Sequence, residues 1–162
     1  NGGEKMFADI LKNMNKKRMV FLGGTCNDSK WRDELIPKLT IDYFNPVVDD
    51  WTPENQALER QKRQEADYVL YVITPLMTGV YSIAELVEDS IKNPGKTVFC
   101  YLTSDAGKSF DEGQIKSLNA VGEMVRRNNA TWLKSLDEVA MFLNTGVLPV
   151  QAFLRTKGEV QK

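Results

Sequence analysis

Short, continuously apolar runs alternate along this chain with longer stretches in which apolar residues return every three or four positions. The first pattern marks strands covered on both faces, and the second marks amphipathic helices. An amphipathic stretch, Glu4 to Asn15, is followed by Met19-Val20-Phe21-Leu22, closed by Gly23-Gly24, which predicts a buried strand ending in a tight turn. Asp28 or Ser29 is placed to cap a helix over Lys30 to Leu39, where Trp31, Leu35 and Leu39 recur at helical spacing. Asp42 to Pro46 predicts a second strand. Thr52-Pro53-Glu54 then supplies a cap, a proline at the first helical position and an acidic first turn for a helix reaching about Ala66.

Tyr68 to Ile73 is the clearest strand, apolar throughout and bounded by Thr74-Pro75, and is predicted to be central. Gly79 to Ser90 predicts a loop leading into a helix, Thr97 to Leu102 a strand, and Glu112 to Arg127 a longer helix. Thr131-Trp132-Leu133 reads as an edge strand, and Ser135 to Glu138 has the capping-box spacing that starts a last helix to Asn144. Strands and helices in this alternation imply an α/β domain built on a doubly wound, flavodoxin- or Rossmann-like parallel sheet of about five strands, with helices on both faces. The expected organisation is a helical extension over 1–18, a single α/β domain over 19–148 and a flexible tail over 149–162. Asn1-Gly2-Gly3 reads as residues added ahead of the natural start, which Met19 also marks as a candidate.

Composition narrows the chemistry. With 21 basic and 22 acidic residues the net charge is -1, so neither a nucleic-acid polymer nor an anionic membrane is an expected partner. Two cysteines, Cys26 and Cys100, suggest no disulfide framework and point to a reducing, cytoplasmic setting. The chain contains no histidine, which removes histidine-activated nucleophiles, histidine general bases and histidine metal ligands together. Chemistry is left to carboxylates, hydroxyls, lysines and backbone dipoles, with no cofactor or metal expected.

In a sheet of this kind ligands bind past the carboxyl ends of the strands. Three loops converge there: Gly23-Gly24-Thr25-Cys26-Asn27, Val48 to Thr52, and Thr74 to Ser82. The glycine pair would let a ligand approach backbone amides, although it lacks the dinucleotide fingerprint and the Walker lysine, and a plain turn explains it equally well. Glu85 is placed in the first turn of the following helix, where the helix dipole favours an ionised carboxylate able to act as a nucleophile. Ser82 to Glu85 is also a capping box, and spacing alone favours the cap. Glu88 and Asp89 extend an acidic face of the kind usually left to solvent, and the charged Glu59 to Glu65 stretch is explained by helical charge pairs. Trp51 beside Asp49-Asp50 is able to stack on a base or to pack on its own domain, and Cys26 is read as a small buried or pocket-edge residue.

Phe21-Leu22-Gly23-Gly24, then Ala66 to Leu70, then the Thr78-Gly79-Val80-Tyr81 loop leading to Glu85, resemble the nucleoside 2-deoxyribosyltransferase-like family in order and spacing. The resemblance runs from Val20 to about Leu102, and Val47 to Glu54 looks typical of an uncharacterised, phage-type branch. It implies that Glu85 attacks the anomeric carbon of a nucleoside and expels the base, and that Glu59, where the usual residue is aspartate, holds or protonates that base. Two positions depart from the family pattern. Phe21 stands where a tyrosine often orients the nucleophile, with Tyr81 a replacement, and Gly79 stands where a further acidic residue is usual, with Thr78, Ser82 or Asp50 as substitutes. Phe21, Gly23, Gly24, Thr25, Asp50, Trp51, Thr78, Gly79 and Ser82 are therefore the expected binding residues around Glu85, Glu59 and Tyr81. The substrates implied are nucleosides or nucleotides and free bases, and the family implies a homodimer or larger assembly. A glycoside hydrolase, a nucleotide-binding module without catalysis, and a flavodoxin-like scaffold for protein partners are the alternatives.

Overall fold

A computed structural model describes residues 2–14 and 16–149 of the chain. In chain order the elements are α1 (Gly2–Met14), β1 (Met19–Gly24), α2 (Trp31–Leu35), β2 (Asp42–Phe44), α3 (Pro53–Glu65), β3 (Tyr68–Ile73), α4 (Tyr81–Lys92), β4 (Thr97–Tyr101), β5 (Ser104–Asp105), β6 (Lys108–Ser109), α5 (Glu112–Arg127), β7 (Thr131–Leu133) and α6 (Leu136–Thr145). Five of the strands form an all-parallel sheet in the order β2-β1-β3-β4-β7. The α/β fold expected from the sequence is the fold observed, and β3 is its central strand.

Strand periodicity explains how the core divides. Val20, Leu22, Tyr68, Leu70, Val72, Val98 and Cys100 point to one face, where α2 and α6 cover them with Trp31, Leu35, Val139 and Leu143. Phe21, Val69, Tyr71, Ile73 and Phe99 point to the other, covered by Leu86 of α4 and by Leu118 and Val125 of α5. Every residue of β3 is buried, which is why its sequence shows no alternation. A fully buried side chain such as Leu70 or Leu86 contributes roughly 1.5–3 kcal/mol.

Several boundaries differ from expectation for identifiable reasons. The predicted helix over 30–39 shortens to α2 plus a 3₁₀ turn, Ile36–Lys38, because Pro37 has no amide hydrogen to continue the α-helical ladder. Neither Asp28 nor Ser29 caps it: the cap residue is Lys30, and the Ser29 hydroxyl bonds Asp105 instead. The second strand stops at Phe44. Thr52 does cap α3, accepting from the Asn55 amide at 3.1 Å, with Pro53 next. Ser135 likewise caps α6, although Glu138 reaches back to the Lys134 amide rather than to that of Ser135. The β5–β6 hairpin, which turns through Ala106 and Gly107 at positive φ, was not anticipated. Among the described residues no helix is long and apolar enough to cross a membrane. The tail expected beyond Pro149 lies outside the described residues.

Candidate functional site

β1 sits between β2 and β3, so the chain leaves its carboxyl end toward one side of the sheet and leaves that of β3 toward the other. Two adjoining cavities open there, of about 190 and 200 Å³. They share Gly24, Cys26, Tyr81 and Ser82. The first is walled by Phe21 and Gly23 of β1, Tyr71 of β3, Glu59 of α3, Glu85 of α4, and Arg32, Pro46 and Trp51. The second holds Thr25, Asn27, Met77, Thr78 and Gly79. A larger cavity of about 420 Å³ lies between α3 and the far end of α4 and includes Arg63 and Asp89. Its charges are largely engaged: Lys92 pairs with Glu88, and Lys96 donates to the last carbonyls of α3. Size alone does not make it a reaction site, because it lies away from the strand ends that gather the polar loops.

Glu85 is the fifth residue of α4, not a first-turn residue, so the expected dipole contribution is weak and the capping box with Ser82 does not form. The cap residue is Val80, with no side-chain bond. Instead Arg63 Nη1 donates to Glu85 Oε2 at 2.5 Å, while Nη2 and Nε donate to Asp89 Oδ2 at 2.8 and 3.1 Å. The Tyr71 hydroxyl completes the cluster, donating to the same Asp89 oxygen at 2.6 Å. Asp89 is buried, contrary to the solvated face expected of it, whereas Glu88 is exposed and pairs with Lys92.

Burial pushes the Glu85 carboxyl above the usual carboxylate range; Arg63 opposes this, and Glu59, Asp89 and Glu88 reinforce it. Glu59 is also raised, again by burial, with Arg63 and Arg60 opposing. For Arg63 burial acts downward, but Tyr71, Asp89 and Glu85 outweigh it and hold the guanidinium charged. Two carboxyls with elevated affinity for a proton therefore share one cavity wall with a fixed cation beside them.

The glycine pair has a structural explanation. Gly24 has φ +109°, and a Cβ there would lie 2.1 Å from the Val72 carbonyl oxygen, so the close approach is to β3 rather than to a ligand. A Cβ on Gly23 would press on the Leu70 carbonyl at 3.0 Å and on the Tyr71 ring at 3.3 Å. The loop after β1 is fixed by Thr25, whose hydroxyl accepts from the Thr74 amide at 3.0 Å, and by buried Arg32, which donates to the Leu22 and Thr25 carbonyls at 2.8–3.1 Å. Burial lowers the Arg32 pKa, with Cys26 opposing.

Of the residues singled out from sequence, Glu85, Glu59, Tyr81, Phe21, Gly23, Gly24, Trp51 and Ser82 meet at the first cavity, and Thr25, Thr78 and Gly79 at the second. Asp50 lines neither; its carbonyl accepts from Asn55 Nδ2 at 2.8 Å. Phe21 stacks on Phe44 at 5.8 Å, and Tyr81 lies mostly exposed at the rim. Cys26 is exposed at the cavity edge, the second of the two positions expected of it, and not buried. Arg63, Tyr71, Asp89 and Arg32 were missed. A signal existed for two of them: Glu59–Arg63 and Glu85–Asp89 are both spaced by four, so each pair shares one helix face. Among the described residues no group of three or more potential metal ligands is placed to hold an ion.

Residues 17–104, more than half of the chain, match the family described as nucleoside 2-deoxyribosyltransferase like. That span holds β1 to β4 and both helices, α3 and α4, that carry the carboxylates. No curated protein and no solved structure matches the chain. With the family match falling on the elements that build the cavity, the chain belongs to the nucleoside 2-deoxyribosyltransferase-like family.

Proposed function

We propose that the protein cleaves the N-glycosidic bond of a nucleoside or nucleotide, with Glu85 as nucleophile and Glu59 as the group that handles the base. The observation that carries this reading is that both carboxyls, brought from different helices, line one cavity whose rim bears the Trp51 ring. A free oxygen of Glu85 attacks the anomeric carbon, and the bond to the base breaks with its electron pair leaving on the base nitrogen. Glu59 supplies a proton to that nitrogen. A second base or water, in either case giving up a proton to Glu59, then displaces Glu85 from the covalent sugar ester. Trp51 offers a stacking surface for the base, and the hydroxyls of Thr25, Thr78 and Ser82 offer contacts to the sugar side of the substrate.

Assembly as a homodimer or larger belongs to the same reading. Trp51, Val80 and Tyr81 are 58%, 68% and 76% exposed around the mouth, an apolar rim that suits a second subunit closing over the substrate.

The test is incubation with a panel of deoxynucleosides and their 5′-monophosphates, with and without free bases, following base release and exchange. Turnover is expected, with Glu85→Ala slower by about 10³-fold or more, the scale of losing a covalent route. Absence of turnover across the panel, with Glu85→Ala indistinguishable from the parent, overturns the reading. Thermal stabilisation by a nucleotide without product would favour the binding module instead.

A further inference from the structure

Glu85 needs something to aim it, and β1 supplies nothing of the kind. The residues of β1 on the cavity wall are Phe21, Gly23 and Gly24, none with a side-chain donor. Tyr81, the replacement expected from sequence, is at the exposed rim, and the hydrogen bond that Glu85 accepts comes from Arg63.

We propose that Arg63 is the positioning residue of this site: its guanidinium, held on Asp89 and through Asp89 on Tyr71, fixes one oxygen of Glu85 and leaves the other facing the cavity. The inference rests on the reading of Glu85 as nucleophile, and three observations support it. The fork is fully used, one prong on Glu85 and two nitrogens on Asp89, so the guanidinium plane has little freedom to rotate. Its anchor is itself anchored, since Tyr71 on the central strand donates to the Asp89 oxygen that Arg63 holds, and the Arg63 guanidinium lies 5.9 Å from the Tyr71 ring centre. The cluster is also dry enough for charge to matter, with side-chain exposures of 22%, 16% and 10% for Arg63, Glu85 and Asp89.

The arrangement also divides the labour of the two glutamates. The charged and titratable groups around Glu85 are Arg63 and Glu59 from α3, Glu88, Asp89 and Tyr81 from α4, Tyr71 from β3, and Arg32 and Cys26 from across the cavity. Arg63 bonds Glu85 and Asp89 but makes no hydrogen bond to Glu59 among the described residues. Arg63 thus favours the charged form of Glu85 by direct contact and opposes the upward shift of Glu59 without a bond to it. Loss of Arg63 would leave Glu85 and Asp89, one helical turn apart, without the cation between them, and Glu85 would then take up a proton at higher pH.

A carbon NMR titration of protein labelled at the glutamate side-chain carboxyls, with Glu85 identified by its absence in Glu85→Gln, tests this without needing turnover. In Arg63→Gln, which keeps donors but not charge, the Glu85 midpoint is expected to rise by about one pH unit or more, the usual effect of removing an adjacent opposite charge. Arg63→Lys, which restores the charge on a single prong, should recover part of the shift. An unchanged midpoint in a folded Arg63→Gln protein overturns the proposal; should that variant not fold, an unchanged midpoint and an unchanged pH–rate profile in Arg63→Lys overturn it equally. With a substrate in hand, kcat for Arg63→Gln should fall about 100-fold with KM within about threefold, and the acid limb of the profile should move upward. A faster Arg63→Gln enzyme would show that Arg63 blocks Glu85 and would also overturn the proposal. If no nucleoside is turned over but the midpoint shifts, the nucleoside reading fails while the Arg63 contact stands; turnover without the shift gives the reverse.

Discussion

The helical layers on the two faces of the sheet each carry an arginine shielded from solvent, Arg32 buried and Arg63 half-buried, and the two are bonded in opposite ways. On the α2 side, Arg32 is 4% exposed, donates to the carbonyls of Leu22 and Thr25 beside the Cys26 thiol, and stacks 4.3 Å from the Trp31 ring centre. No carboxylate lies within ion-pair distance of it among the described residues. On the α3–α4 side, Arg63 donates to two carboxylates. A buried cation bonded to backbone carbonyls holds a loop through acceptors that do not titrate. A cation bonded to carboxylates holds them only while they are charged, so its contribution follows pH. Low exposure alone does not separate the two arginines; their partners do.

Three experiments sharpen the contrast. The largest effect is expected from Arg32→Met, which leaves buried carbonyls at the end of β1 without their donors and should cost about 3 kcal/mol in denaturant unfolding, with little dependence on pH. A loss that varies steeply with pH would mean that Arg32 has an ionic partner after all. Tyr71→Phe removes one of the donors on buried Asp89 and should cost about 1.5 kcal/mol, with activity falling less than in Arg63→Gln; a larger loss of activity than Arg63→Gln would place Tyr71, not Arg63, at the centre of the cluster.

The smallest effect concerns Glu85→Gln and has a definite sign. Because the folded-state pKa of Glu85 is raised, its protonated form stabilises the fold below the ordinary value of 4.5, and that contribution is lost as pH rises through the raised value. Glutamine does not titrate. The melting temperature of Glu85→Gln relative to the parent should therefore climb as pH rises from below 4.5 through that window, by an amount equivalent to less than about 1 kcal/mol. A melting temperature of Glu85→Gln relative to the parent that stays flat or falls from about pH 3 to pH 8 would contradict an elevated Glu85 pKa.

The parts of the molecule that depend on local pattern were readable in advance. The unbroken apolar run of β3, the Thr52-Pro53 start of α3 and the Ser135 cap of α6 each follow from a few adjacent residues, and the convergence of three loops follows from the strand alternation. Gly24 was noticed for an approach that it does make, but to the Val72 backbone and not to a ligand, since nothing in a single strand's sequence shows which neighbour it crowds. The Arg63 cluster was readable only as two separate helix-face pairs, Glu59–Arg63 and Glu85–Asp89, with nothing to show that they meet. Its members lie on α3, β3 and α4, and each pair had an adequate local explanation as a charge pair or a cap. The capping box at Ser82 failed because α4 begins two residues beyond its loop glycine, which places Ser82 inside the helix instead of at its edge.

α3 carries both Glu59 and Arg63 yet has no buried residue, and so lacks the apolar stripe by which the other long helices of the domain are seated. What fastens it at the site is the pair of ionic contacts to α4, and at its far end the Lys96 ammonium on its terminal carbonyls. One helix thus bears Glu59 and Arg63 a single turn apart, and ionic contacts tie it to α4. Removing charge from Glu85 or Asp89 would loosen that attachment, so the seating of the helix follows the state of the two carboxyls, and under the proposed reaction an ester on Glu85 would be one such change.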